Sequence, residues 1–153
     1  MQETKQIKLK GANATKDFAS GIGARLRGGE VFELIGDLGA GKTTFVIGLV
    51  KGANIDEPVS SPSFTIRNDY VSKKLAIAHY DFFRLSKPGE LSELLNESVN
   101  ESSTVSVIEW PDTIKNVLPD KHVKIEFVPQ ADDSRLLKLS YAKRYEYLFA
   151  TKA

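Results

Sequence analysis

No cysteine occurs anywhere in the 153 residues. That excludes disulfides, thiolate-bound zinc, iron–sulfur clusters and thiol catalysis. Histidine is nearly as scarce: His79 and His122 cannot build a His-rich metal centre by themselves. An excess of one charge is missing too. The 21 Lys and Arg against 20 Asp and Glu leave a formal net charge of +1, which does not describe a cationic nucleic-acid coat. No apolar run approaches the ~18 residues that a membrane-spanning helix needs, and Met1 to Lys10 lacks the apolar core of a signal peptide. These absences predict a soluble, cytoplasmic chain. At ~100–200 residues per domain, residues 1–153 are expected to form one domain. A chain of this length can bury roughly 68–70% of its unfolded surface, enough for one core.

Apolar periodicity supplies the elements. Ile7-Lys8-Leu9 alternates like a short edge strand. Asn13 or Thr15 can cap a helix through Phe18, Ile22 and Leu26, ended by Gly28-Gly29. Val31 to Ile35 suits a buried strand, and Lys42 to Lys51 a helix. Asn54 to Pro62 reads as a loop. Phe64 to Ile66 and Leu75 to Phe82 read as strands joined by a Ser72-Lys73-Lys74 turn. Pro88 to Leu95 can open a helix, and Val105 to Ile108 is a buried strand. Val123 to Val128 and Leu136 to Tyr141 predict an antiparallel hairpin across Pro129 to Ser134. The interleaving predicts an α/β fold with a mixed, mostly parallel sheet flanked by helices and closed by that C-terminal hairpin.

The near-neutral total hides an uneven distribution. Residues 81–112 carry seven acids and two bases, and residues 135–153 carry five bases and one acid. In the basic tail, Tyr141, Tyr145, Tyr147 and Phe149 interleave with Lys143 and Arg144. Such a composition suits either stacking on RNA or packing on the domain at helical spacing.

Gly36-Asp37-Leu38-Gly39-Ala40-Gly41-Lys42-Thr43 fits G-x-x-x-x-G-K-[ST] at every fixed position. It follows a predicted strand and opens a predicted helix, the context a P-loop requires. Glycines let backbone N–H groups approach phosphate oxygens with no Cβ in the way, and the helix adds its positive end. Lys42 can reach the β- and γ-phosphates, and the Thr43 hydroxyl can coordinate Mg²⁺. A plain glycine-rich turn would not need Lys-Thr after its last glycine. Glu109 ends the strand at Val105 to Ile108, where a carboxylate can hold Mg²⁺ or simply end a strand. Asp81 ends the strand that precedes it, where it can orient or deprotonate water or make a local hydrogen bond. The hydroxyl-rich loop Ser60 to Thr65 lies where P-loop switches sense the γ-phosphate, or is a turn before a strand.

Four segments occur in order: Gly36 to Phe45, Ser61-Pro62-Ser63-Phe64-Thr65, His79 to Leu85, and Ile108-Glu109-Trp110-Pro111. Together they closely resemble the TsaE family of bacterial ATPases of tRNA threonylcarbamoyladenosine biosynthesis, over about residues 7 to 140. The resemblance implies a P-loop NTPase fold and a weak ATPase using ATP and Mg²⁺. It also implies TsaB and TsaD as partners, with tRNA adenosine 37 as the modified site and tRNA contacted only indirectly or weakly. Carried over by residue, it assigns nucleotide binding to Gly39, Ala40, Gly41, Lys42, Thr43, Thr44 and Arg135. Thr43 and Glu109 take the metal, and Asp81 with Lys42 takes hydrolysis. Ser61 to Thr65 becomes the switch loop, and His79 and Trp110 lie near the site. The switch loop departs from the family in one place: Ser63 stands where threonine is usual, keeping the hydroxyl and losing a methyl.

Other readings of the same P-loop are a small-molecule kinase, a GTPase and a nucleotide-gated binding module. A kinase lid would need clustered arginines, whereas Arg25, Arg27, Arg67, Arg84, Arg135 and Arg144 are scattered. A GTPase would need N/T-K-x-D after a strand, and Asp17 follows Lys16 directly.

Overall fold

The computed structural model describes residues 2–37, 39–62, 66–82, 89–109, 118–119 and 122–150. Among the described residues, seven strands form one sheet: β1 (Gln2–Lys10), β2 (Val31–Ile35), β3 (Arg67–Val71), β4 (Ala76–Asp81), β5 (Thr104–Glu109), β6 (Val123–Pro129) and β7 (Ser134–Ala142). Their spatial order is β1-β7-β6-β2-β5-β4-β3. The four central strands, β6, β2, β5 and β4, run parallel. Antiparallel pairs close both sides: β6-β7-β1 on one and β3-β4 on the other. The fold is the mixed α/β sheet expected, with the hairpin β6-β7 where alternation placed it.

Of the central strands, β2, β4 and β5 are buried along nearly their whole length, whereas β6 alternates. Burial on both faces is why β2, β4 and β5 read as apolar runs rather than as alternation. β1 lies at an edge, and its second half alternates, with Ile7 and Leu9 packed inward and Lys8 and Lys10 outward. Lysine on an edge strand also discourages pairing with another chain.

Helices α1 (Gly11–Gly23) and α2 (Lys42–Gly52) cover one face of the sheet, and α3 (Gly89–Asn100) covers part of the other. Phe32 and Leu34 of β2 join the larger core with Ala19, Ile22, Phe45 and Leu49, whereas Val31 joins Tyr80, Ile108 and Leu95 on the α3 side. α1 and α2 touch backbone to backbone. A Cβ on Gly48 would lie 2.4 Å from the Lys16 carbonyl oxygen, and one on Gly52 would lie 2.0 Å from that of Ser20.

Two expectations change here. α1 begins at Gly11 rather than at Asn13 or Thr15, and no side chain caps it. Gly11 takes φ 78°, which turns β1 into the helix, and the Thr15 hydroxyl bonds back to the Gly11 carbonyl oxygen at 3.4 Å. α1 ends at Gly23, so Leu26, Gly28 and Gly29 belong to the connection into β2. The strand expected over Phe64 to Ile66 falls partly outside the described residues, and β3 begins at Arg67.

The basic tail forms a 3₁₀ helix, Lys143–Phe149, that packs on the domain. Tyr141, Tyr145 and Phe149 are buried. The Tyr147 hydroxyl donates to Glu30 Oε2 at 2.7 Å, and its ring lies under the Arg27 guanidinium. These rings are therefore used in packing on the domain. Among the described residues, no helix is long and apolar enough to cross a membrane.

Candidate active site

The parallel strands deliver their last residues to one end of the sheet, where ligands of open α/β sheets bind. Asp81 of β4 pairs in register with Glu109 of β5, and Glu109 pairs with Leu34 of β2. Two residues past Leu34 the chain enters the loop 36–41. Gly39 and Gly41 adopt φ 80° and 108°, in the left-handed region that favours glycine. Gly41 has no side chain to cap α2. The positive end of α2, at Lys42 to Thr44, opens directly onto a cleft. Phe45 meets Phe127 edge to face beneath the loop, with ring centroids 5.8 Å apart.

Gly39, Gly41, Lys42, Thr43, Thr44, Ser61, Asp81, Glu109 and Arg135 all line this cleft. The Lys42 ammonium donates to the Gly36 carbonyl oxygen and lies 3.9 Å from Glu109 Oε1. Burial pushes Lys42 below its ordinary pKa, while the carboxylates of Glu109, Asp81 and Asp37 pull it back up. The acids keep the desolvated ammonium charged, and a cation that has already given up bulk water attracts phosphate oxygens strongly.

Ala40 is buried, and its carbonyl oxygen accepts from Arg135 Nε at 3.2 Å. Arg135 reaches the loop from β7, a contact spanning 95 residues. His79 stands behind the cleft, fully buried, with Nε2–H donating to Glu109 Oε2 at 2.5 Å. Of the loop expected at Ser61 to Thr65, Ser61 faces the cleft and Pro62 is buried. Ser63, Phe64, Thr65 and Trp110 lie outside the described residues. Ile66 closes this loop at φ 70°, an unusual conformation for a β-branched residue. Its N–H donates to the Pro62 carbonyl oxygen at 2.6 Å, and its own carbonyl oxygen accepts from the Asp81 N–H at 2.9 Å. The loop's exit is thus bonded to the backbone of Asp81.

Gly11, Ala12, Thr15 and Asp133 complete the cleft. Gly11 and Asp133 were not singled out from the sequence. Their signals were a glycine at a strand–helix junction and an acidic pair in a hairpin loop, neither of which points to a ligand by itself. The Gly11 N–H donates to the Asp133 carbonyl oxygen at 3.3 Å, which ties this wall together.

The donor set bears on a metal. Among the described residues, no cluster of three or more His, Asp or Glu is placed to hold one. The Thr43 hydroxyl and two in-register carboxylates face one cleft beside the positive end of α2. These are hard oxygen donors, too few for an all-protein cage. They fit a cation such as Mg²⁺, which keeps waters and completes its shell with phosphates.

The model of threonylcarbamoyl adenosine biosynthesis protein TsaE matches residues 9–137. The tRNA threonylcarbamoyladenosine biosynthesis protein TsaE of Bacillus subtilis is 35% identical over 147 residues, covering 94% of this chain and 92% of that protein. The protein of the same name from Rickettsia bellii is 34% identical, covering 88% and 94%. Among solved structures, the crystal structure of Bacillus subtilis YdiB superposes with a TM-score of 0.79 at 30% identity, covering 97% of this chain and 93% of the other.

Proposed function

The chain belongs to the TsaE family of tRNA threonylcarbamoyladenosine biosynthesis proteins, and on that premise we propose that it is a weak, Mg²⁺-dependent ATPase supporting formation of the threonylcarbamoyl group on adenosine 37 of tRNA. The observation that carries the reading is the meeting of Lys42, Asp81 and Glu109 at the mouth of one P-loop cleft.

Each residue has a role that follows from its position. The amides of Gly39 to Thr44 and the end of α2 bind the phosphates. Lys42 exchanges its contacts with the Gly36 carbonyl and Glu109 for β- and γ-phosphate oxygens. Thr43 and Glu109 would hold Mg²⁺, which when bound neutralises charge building on the phosphates. Asp81 orients the attacking water and accepts its proton. Ser61, followed by Pro62 to Thr65, reports whether the γ-phosphate is present, and the bond between Ile66 and Asp81 carries that report to the hydrolytic carboxylate. Arg135 supports the nucleotide from the β7 side while holding the Ala40 carbonyl.

Residues 1–153 act as one cytoplasmic domain, an accessory ATPase serving TsaB and TsaD. The kinase reading has less support: Arg135 is the only arginine among the described cleft residues. Arg25 bonds the Leu148 carbonyl, Arg67 pairs with Asp69, and Arg27 and Arg144 lie over Tyr147 and Tyr145.

Reconstitution tests the proposal. TsaB, TsaD and tRNA are incubated with ATP, with and without this protein, and modified tRNA is counted per TsaD. Multiple rounds only in its presence are expected. Equal rounds without it would remove the proposed function.

A further inference from the structure

We propose that His79 is the positioning residue for Glu109, holding one carboxylate oxygen so that the other is presented to the cation that accompanies the phosphates. The inference rests on the reading of Glu109 as a cation ligand.

The two oxygens of Glu109 have different surroundings. Oε2 accepts from His79 Nε2–H at 2.5 Å, a short charge-assisted contact. Oε1 faces the cleft side, 3.9 Å from Lys42 Nζ. Strand register creates this division. His79 pairs with Val107, and Glu109 lies two residues beyond Val107 on the same face. The imidazole therefore approaches from behind, along the sheet, and leaves the open side of the carboxylate to the cleft.

Packing does not account for an imidazole here. His79 is fully buried in a strand that is otherwise mostly apolar. Its Nδ1 is buried and finds no hydrogen-bond partner among the described residues. Leaving a buried polar atom unsatisfied is costly, and an aliphatic or aromatic side chain would avoid it. What the imidazole adds is one rigid N–H aimed at Glu109. Partners behind metal-binding side chains act in this way, fixing the orientation of the ligand.

The test compares native protein with His79→Gln and His79→Asn. Glutamine can carry an N–H donor to the reach of Nε2, and asparagine cannot. Binding of a non-hydrolysable ATP analogue is measured by calorimetry, first in EDTA and then with Mg²⁺ titrated. All three proteins are expected to bind alike in EDTA, which also shows that the variants are folded. The Asn variant should need about 10–100-fold more Mg²⁺ for the same gain in affinity, and the Gln variant should stay near native. If native protein gains nothing from Mg²⁺, the cation reading of Glu109 fails. If native and Asn proteins respond at the same Mg²⁺ concentration, that reading stands and the role of His79 is overturned. Nitrogen NMR of the native protein requires no variant: the ring proton should sit on Nε2, and finding it on Nδ1 would overturn the proposal even if the Asn variant does not fold.

Discussion

Asp81 and Glu109 are the terminal residues of neighbouring parallel strands, in direct register, and both are buried. Two carboxylates side by side repel, so their placement makes sense only with compensating positive charge. Lys42 supplies part of it. A nucleotide-bound cation would supply the rest.

The two acids should separate in function. Asp81→Asn keeps the shape and removes the base. Hydrolysis should fall by about 10²–10⁴-fold, with nucleotide affinity nearly unchanged. Single-turnover phosphate release beside calorimetry checks both halves.

Lys42→Ala removes a buried cation from the phosphate cradle. Charge-assisted hydrogen bonds are worth about 1.5–3 kcal/mol, so affinity for ATP should fall by roughly 10–150-fold. Calorimetry at fixed Mg²⁺ measures it, and unchanged affinity would contradict the site.

The α1–α2 contact should tolerate no side chain at its tightest point. Gly52→Ala places a Cβ 2.0 Å from the Ser20 carbonyl oxygen. Overpacking costs about 1–3 kcal/mol, against a helix-propensity gain of up to about 1 kcal/mol. Thermal melting should move down by about 2–4 °C per kcal/mol lost.

A second histidine gives a pH-dependent stability. His122 donates from Nδ1 to the Pro119 carbonyl oxygen and from Nε2 to Glu33, each at 2.7 Å. An imidazole donating from both nitrogens is protonated. The Glu33 hydrogen bond raises its pKa, partly offset by burial. The folded state therefore keeps a proton that the unfolded chain releases near its ordinary value of about 6.5. The contribution is complete below that value and is lost as pH rises through the folded pKa. Urea melts from pH 6 to 9 should show the native advantage over His122→Asn shrinking as pH rises.

The features legible in the sequence were those that local chemistry dictates. Gly39 and Gly41 mark a backbone that needs left-handed φ, and apolar runs that stop at Asp81 and Glu109 mark strand ends. Less legible were features made by distant pairing. Arg135 reaches Ala40 only because β7 lies between β1 and β6, and its place was suggested by family resemblance alone. Tyr147 is drawn into the domain by Glu30, whose carboxylate also accepts the N–H groups of Arg27 and Gly28. No local pattern distinguishes that from an RNA-facing ring. The start of α1 was misread because Asn13 and Thr15 look like caps, whereas Gly11 turns the chain without one.

The most direct test of the account follows ATP and tRNA together. With TsaB, TsaD and tRNA, the native protein and Asp81→Asn are compared for phosphate released and for modified tRNA formed per TsaD over many cycles. The account predicts that both quantities collapse together in the variant. Repeated modification continuing while hydrolysis is lost would contradict it, and would make bound nucleotide, rather than its turnover, the working state.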